Sequence, residues 1–192
     1  MAKKRKKKGW VGRFVVILFF IGIIVSLSLL FRKEIVNAFR PWLEKFNLVE
    51  ERKEIVLYFS DSDGEYLIGE KRKIAKRGEV IEEAKEMINE LIKGPKGKLI
   101  PTLPSRTKFL GLKVNEKGVA IINFSQALTK EHPGGSSAEI LTAYSIVNSL
   151  TQNFPQIKQV QILIEGKPVE TIAGHLSLKK PVASNPNLIK RR

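Results

Sequence analysis

Residues 55–64 read Ile55-Val56-Leu57-Tyr58-Phe59-Ser60-Asp61-Ser62-Asp63-Gly64, an unbroken run of aliphatic and aromatic side chains that ends in turn residues. Five such residues in a row fit a buried strand, and the Asp/Ser/Gly cluster supplies the side-chain acceptors and the free glycine that a tight turn needs. Tyr66 to Ala75 then reads as the returning strand. Its lysines and glutamate make it more polar than its partner, which marks it as the strand nearer an edge.

A hairpin of this kind needs a cover, and the next segment provides one. From Glu79 to Lys93, Val80, Ile81, Ala84, Met87, Ile88, Leu91 and Ile92 fall on one stripe, with Glu82, Glu83, Lys85, Glu86 and Glu90 opposite. The period is that of an amphipathic helix, its first-turn acids complement the helix dipole, and Lys93-Gly94-Pro95 stops it. After a Gly/Pro/Lys loop, Lys108 to Val114 and Val119 to Phe124 read as two strands joined through Asn115-Glu116-Lys117-Gly118.

His132-Pro133-Gly134-Gly135-Ser136 breaks the chain before a second helix, Ala138 to Phe154. Ser136 and Glu139 have the spacing of a capping box, and Ile140, Tyr144, Val147, Leu150 and Phe154 give a core face. Ile157, Val160, Ile162 and Ile164 form a last main strand, half-buried where Gln159, Gln161 and Leu163 alternate with them. Pro168 to Ile172 is a candidate short strand. The order is β-β-α-β-β-α-β, an α/β chain of the α+β two-layer kind, with one mixed sheet of about five strands and two helices on one face.

Outward toward the N-terminus the character changes. Lys3, Lys4, Arg5, Lys6, Lys7 and Lys8 precede eighteen uncharged residues, Phe14 to Phe31. As a helix that run rises about 27 Å, close to the hydrocarbon thickness of a bilayer. A basic cluster beside a first apolar segment stays on the cytoplasmic side, so the remainder of the chain is expected outside the cytoplasm. A cleaved signal is the competing reading, with small residues at Ser26 and Ser28. The apolar run exceeds the roughly 7–15 residues of a signal core and continues through Leu29, Leu30 and Phe31, which favours an uncleaved anchor.

The expected organisation is therefore a basic cytoplasmic head (1–13), a single transmembrane helix (14–31), a juxtamembrane linker (32–54), a folded domain (55–178) and a basic disordered tail (179–192). Within the linker, Ile35, Val36, Phe39, Trp42, Leu43 and Phe46 recur at helical spacing around Pro41, so an interfacial helix and a semi-rigid stalk both fit.

The formal charge of +15 divides as +8 over 1–54, +2 over 55–178 and +5 over 179–192. The folding part is nearly neutral, which excludes a basic nucleic-acid face. The basic tail is a solvated end or a contact for anionic lipid or wall polymer. There are no cysteines, hence no disulfide and no thiol for a lipid anchor.

The chemistry offers little. A nucleophile needs a base, and the chain has only His132 and His175, neither in a recognisable catalytic pattern. Gly134-Gly135-Ser136-Ser137-Ala138 lacks the last glycine of a nucleophile elbow. Gly94-Pro95-Lys96-Gly97-Lys98 follows a helix where a phosphate loop follows a strand, and Leu99 replaces the magnesium-binding hydroxyl. Asp61, Asp63, Gly64 and Glu70 have part of an EF-hand spacing, but Phe59 fills the first ligand position and strands flank it. No catalytic, cofactor-binding or metal-ligating residue is expected.

Taken in order, Leu57-Tyr58-Phe59 with Asp61 and Gly64, Leu91 with Gly94-Pro95, Pro104 with Thr107, Asn123-Phe124-Ser125, Gly134-Gly135-Ser136, Phe154-Pro155 and Val160-x-Ile162-x-Ile164-x-Gly166 resemble the GerMN domain, the sporulation and spore germination module. The resemblance covers Ile55 to Gly174. It implies an extracytoplasmic, non-enzymatic domain of Gram-positive, often spore-forming, bacteria, similar to the ring-building modules of a channel-like complex between two membranes. Members named for germination are commonly lipid-anchored and often tandem, whereas this chain has no cysteine and one such domain. The expected role is protein–protein assembly in the envelope, by self-association or with other sporulation proteins, with Tyr66 to Lys73 the first candidate surface. The alternative is a peptidoglycan or other envelope-ligand module in vegetative cells.

Overall fold

The structure, a computed structural model, describes residues 10–45 and 51–190. It divides into two units, one ending at Glu50 and one beginning at Glu51. The first contains α1 (Trp10–Leu30) and α2 (Arg32–Lys45), with a break at Phe31. Val15 to Phe20 and Ile21, Ile23, Val25, Leu27, Leu30 and Phe31 are large apolar side chains left open by the protein. Among the described residues no single helix is long and apolar enough to cross a membrane, but Val15–Leu27 and Arg32–Phe39 meet the criterion together as a bent pair. The helical reading of the linker holds for 32–45, and Pro41 lies inside that helix. Most of the basic head, residues 1–9, lies outside the described residues, as do 46–50 and Arg191-Arg192.

The second unit runs β1 (Arg52–Ser60), β2 (Leu67–Ala75), α3 (Val80–Ile92), β3 (Phe109–Val114), β4 (Val119–Phe124), the single turn α4 (Ala127–Lys130), α5 (Ser136–Asn153), β5 (Gln159–Ile164), β6 (Lys167–Pro168), β7 (Val182–Ala183) and a 3-10 turn, Pro186–Leu188. The principal elements follow the predicted order. The single mixed sheet does not form. β1 and β2 make their own antiparallel sheet, while β3, β4, β5 and β6 make a second, with β7 also paired to β5. Within the second sheet β3–β4 is antiparallel and β4–β5 parallel, so the connection through α5 is the crossover that parallel neighbours require.

Both helices join the two sheets instead of covering one face of one sheet: α5 contacts β1 and β5, and α3 contacts β1, β2 and β3. Ile55, Leu57 and Phe59 of β1, Met87, Ile88 and Leu91 of α3, Ile146, Val147 and Leu150 of α5, and Ile122, Phe124, Val160 and Ile162 of the second sheet form one buried cluster. A smaller cluster of Tyr58, Leu67 and Leu141 lies on the other face of the hairpin, joined by Val56, Tyr144, Leu188 and Ile189.

Two boundaries shift. The domain begins before residue 55, because Arg52, Lys53 and Glu54 are paired with Ala75, Ile74 and Lys73. Polar residues extend that strand through cross-strand and ion-pair contacts, among them Lys71–Glu54 at 2.8 Å and Lys53–Glu83 at 2.9 Å, which an apolar run does not reveal. The expected disordered tail is instead ordered to Lys190. Val182 pairs with Val160, the Asn185 N–H donates to Asn148 Oδ1 at 3.0 Å, and the Lys190 N–H donates to the Leu67 carbonyl at 2.9 Å.

Candidate functional site

The two edges of the β1–β2 hairpin are finished differently. Along β1 the outward backbone groups are taken by side chains of α5. The Val56 N–H donates to Asn153 Oδ1 at 2.9 Å, the Tyr58 N–H to Ser149 Oγ at 3.1 Å, and Ser145 Oγ donates to the Tyr58 carbonyl at 2.6 Å. Ser145, Ser149 and Asn153 stand one turn apart, so they form a stripe along one side of the helix. The edge continues in Ser60 and Ile100, which exchange backbone hydrogen bonds of 3.1 and 2.9 Å. A helix thus occupies the place where a third strand would join the sheets.

The same helix carries a buried polar network at its start. Gly134 and Gly135 have φ of +84° and +85°, the left-handed region where glycine avoids a Cβ penalty. The Gly134 N–H donates to His132 Nδ1 at 3.0 Å, so the ring proton is on Nε2 and donates to Thr142 Oγ1 at 3.0 Å. Thr142 Oγ1 in turn donates to the Thr102 carbonyl at 2.5 Å. Burial pushes the His132 pKa down, against the pull of the Ala138 backbone and the Glu139 charge. His132 therefore holds a loop in place.

The predicted capping box does not form. Gly135 is the N-cap, without a side-chain cap. Glu139 turns away into the protein, where its carboxylate accepts from the N–H groups of Ile172, Ala173 and His175 at 2.8, 2.9 and 2.6 Å. Glu139 is fully buried. Burial raises its carboxyl pKa, and the N–H groups of Ala173, His175, Ile172 and Leu176 bring it down to a net value below the ordinary one. Its use is to fasten the 171–176 loop to α5.

Along β2 the outer edge is only partly closed. Leu67 is bridged to Ile189 at one end, and the Ala75 N–H donates to Glu86 Oε1 at 3.0 Å at the other. Gly69, Lys71 and Lys73 lie opposite Tyr58, Val56 and Glu54, so by antiparallel alternation their backbone groups point away from β1. Among the described residues those groups have no hydrogen-bond partner. Lys71 and Lys73 are exposed. A concavity of about 440 Å³ is lined by Arg52, Glu54, Lys71, Arg72, Lys73 and Lys96.

Arg72 is the fixed point of this surface. Its guanidinium is buried and donates to Glu70 Oε1 at 2.6 Å, to Glu90 Oε2 at 3.1 Å and to the Gly94 carbonyl at 2.8 Å. Glu70 in turn accepts from the N–H groups of Lys96 and Gly97 at 3.2 Å. The Gly94-Pro95 loop is thereby clamped to β2, with Gly94 at φ +81°.

A second concavity, of about 690 Å³, is lined by residues that include Ser60, Asp63, Glu65, Leu103, Pro133 and Leu141. The EF-hand-like acids are not gathered there. Asp61 Oδ1 accepts from the Glu65 and Tyr66 N–H groups at 3.0 and 3.2 Å, while Glu70 is held by Arg72. His132 is engaged through its ring in one loop, and His175 is bound through its backbone N–H in another. Among the described residues no group of three or more His, Cys, Asp or Glu side chains is arranged to hold a metal ion.

The other residues behind the predicted resemblance are also turns and anchors. Asn123 Oδ1 accepts from the Gly166 N–H at 2.8 Å, Ser125 Oγ accepts from the Lys108 N–H at 2.9 Å, and the Thr107 N–H donates to the Pro104 carbonyl at 3.0 Å. Phe124 and Phe154 are core. Two sheets tied by a polar-striped crossover helix, with loops pinned by Arg72 and Glu139, define a small α+β module. The family model described as "Germane: Sporulation and spore germination" matches residues 56–170, and the chain belongs to this family, to which GerMN domains are related. The family is linked to sporulation and germination proteins.

Among solved structures, a candidate lipoprotein of Clostridium perfringens is similar at 29% identity and TM-score 0.52, over 72% of this chain and 93% of that one. The tandem GerMN domains of the sporulation protein GerM from Bacillus subtilis match at 19% identity and TM-score 0.54, over 71% of this chain and 48% of that one. The first GerMN domain of the same protein matches at 20% identity and TM-score 0.52, over 68% and 97%. These two establish likeness of fold. No curated protein matches.

Proposed function

We propose that this is a non-enzymatic, membrane-anchored protein whose family domain works outside the cytoplasm in sporulation or spore germination, by assembling with other proteins of the cell envelope. The observation that carries the reading is the edge of β2. Gly69 to Lys73 keeps unpaired backbone groups on a domain whose other hairpin edge is closed by α5, and open strand edges are sites of chain-to-chain pairing. The anchor reading rests on α1, whose described apolar side chains from Val15 to Ile21 are exposed and follow a basic head on the side that is retained in the cytoplasm. Likeness to a candidate lipoprotein supports an envelope location.

Cross-linking in cells with mass spectrometry tests this, using the full-length protein and a Lys71→Glu/Lys73→Glu variant in growing and sporulating cultures. Sporulation-dependent cross-links to envelope proteins, lost in the variant while it remains folded, are the expected result. Cross-links unchanged in the variant remove this edge. The groove of about 690 Å³ favours a second reading, a cell-wall ligand module of vegetative cells, in which the protein is retained on purified peptidoglycan and has no protein neighbour.

A further inference from the structure

We infer that the open edge of β2 takes an extended acidic segment of a different protein, added as a strand, and is built against pairing with a second copy of itself. The inference rests on the reading of this edge as the contact surface and specifies what the surface accepts.

The backbone sets the class of partner. Gly69, Lys71 and Lys73 present both donors and acceptors at alternate positions. An extended peptide satisfies both kinds, whereas a phosphate polymer or lipid headgroup offers acceptors alone and leaves the carbonyls unpaired.

Side chains set its sign. Lys71 and Lys73 stand on the same face of the strand, and Arg52 and Lys96 line the same concavity. Against these cations the lining of the concavity has one carboxylate, Glu54, already paired with Lys71 at 2.8 Å. Two copies meeting edge to edge bring lysines opposite lysines, the arrangement by which edge strands avoid self-pairing. A strand with glutamate or aspartate at alternate positions instead meets opposite charge.

Gly69 and Arg72 shape the fit. A Cβ at Gly69 would come within 2.8 Å of Val56 Cγ1 and 3.5 Å of Tyr58 Cε1, so these side chains already cover the glycine and leave its backbone edge clear. The clamp of Arg72 and Glu70 on residues 94–97 fixes the wall from which Lys96 projects, so the concavity is preformed.

The test uses the full-length protein in nanodiscs of phosphatidylcholine. The probes are a fluorescent peptide Thr-Glu-Val-Glu-Val-Glu-Thr, the same peptide N-methylated at alternate residues, its lysine counterpart, and inorganic polyphosphate. The acidic peptide is expected to bind, with affinity falling as salt rises. N-methylation is expected to weaken it by about tenfold, the loss of one or two backbone hydrogen bonds. The lysine peptide is expected not to bind, and Lys71→Gln/Lys73→Gln, which preserves size without adding repulsion to Glu54, is expected to weaken the acidic peptide similarly.

Equal binding of the N-methylated peptide and polyphosphate overturns the strand-addition inference in favour of a simple anion surface. Self-association of the protein that the glutamine variant strengthens overturns the barrier to pairing with itself. Absence of acidic-peptide binding, together with loss of cellular cross-links in the edge variant, defeats this inference and leaves the proposed assembly role standing. Cross-links unchanged in the variant defeat the role itself.

Discussion

The side-chain amide of Asn153 completes both outward backbone groups of Val56, accepting from its N–H at 2.9 Å and donating to its carbonyl at 2.7 Å. The amide lies as a peptide group of a neighbouring strand would, and it lies there because α5 runs along β1. Asn153→Ala removes both partners from a half-buried site. A loss of about 1–3 kcal/mol is expected, read as a lower denaturant midpoint with unchanged slope. Asn153→Asp keeps the acceptor but not the donor and should fall between the two. A variant as stable as the parent would show that water replaces the amide.

Arg72 supports a second prediction. It is buried between Glu70 and Glu90 and also holds the Gly94 carbonyl. Arg72→Met leaves Glu70 without its cation and Glu90 with Lys93 alone, and breaking a buried pair of this kind typically costs about 3–5 kcal/mol. Replacing all three groups together by neutral ones of similar size should recover much of that loss, because the desolvation of the charges disappears with them. Arg72→Lys should not rescue, since a single ammonium cannot reach three acceptors in a planar fork. Thermal unfolding of the single and triple variants separates these cases.

The pH dependence follows from His132 and from the carboxylates held below their ordinary values, Glu139 with Asp61, Glu70, Glu83 and Glu90. The net lowering of the Glu139 pKa means that the folded state binds the proton less readily than the unfolded state. Its contribution to stability is therefore present above the ordinary value of 4.5 and is lost as pH falls through the lower folded value. His132 is also lowered, from 6.5, so its neutral form is the folded one and stability declines as pH falls below 6.5 toward the folded value. Stability measured by denaturant titration from pH 7.5 to 3 should fall in two stages. His132→Gln should flatten the upper stage, and Glu139→Gln should reduce the lower one, which Asp61, Glu70, Glu83 and Glu90 sustain, while destabilising the protein at pH 7.

How legible these features are in the sequence depends on how local their causes are. Val119 to Phe124 and Val80 to Ile92 show their periods within a few residues, and the observed strand and helix agree. Tyr66 to Ala75 reads as the strand nearer an edge because it is more polar than its partner, a property of the strand itself. The stripe of Ser145, Ser149 and Asn153 gives no such signal, since its partners are 87 to 97 residues away in β1, and small polar residues on a helix otherwise suggest a solvated face. Glu139 misleads for the same reason: three residues after Ser136 it fits a capping box, while its actual partners lie 33 to 36 residues later. The motifs that reveal the family are glycine turns, loop anchors and core aromatics, so they specify the fold more directly than any binding chemistry.

The C-terminal segment links stability to the exposed edge. Ile189 bridges Leu67, Lys190 pairs with Asp61 at 3.4 Å, and the Asn148 side chain exchanges hydrogen bonds of 3.0 and 3.1 Å with Asn185. Leu67 is fully buried, with Leu188 and Ile189 packed against its cluster. Ending the chain after Lys180 uncovers this cluster and leaves Asn148 without its partner, a combined loss on the order of 2–4 kcal/mol. It also lengthens the open edge of β2 by freeing the Leu67 carbonyl from the Lys190 N–H. That added stretch has no lysine to oppose self-pairing, so the truncated protein should associate with itself at concentrations where the parent is monodisperse in the same detergent. Light scattering across a concentration series checks this. Stability lost without new association would mean that Lys71 and Lys73 still govern the longer edge, whereas new association restored to the parent level by Leu67→Lys would locate the contact at the end of the strand that the tail normally covers.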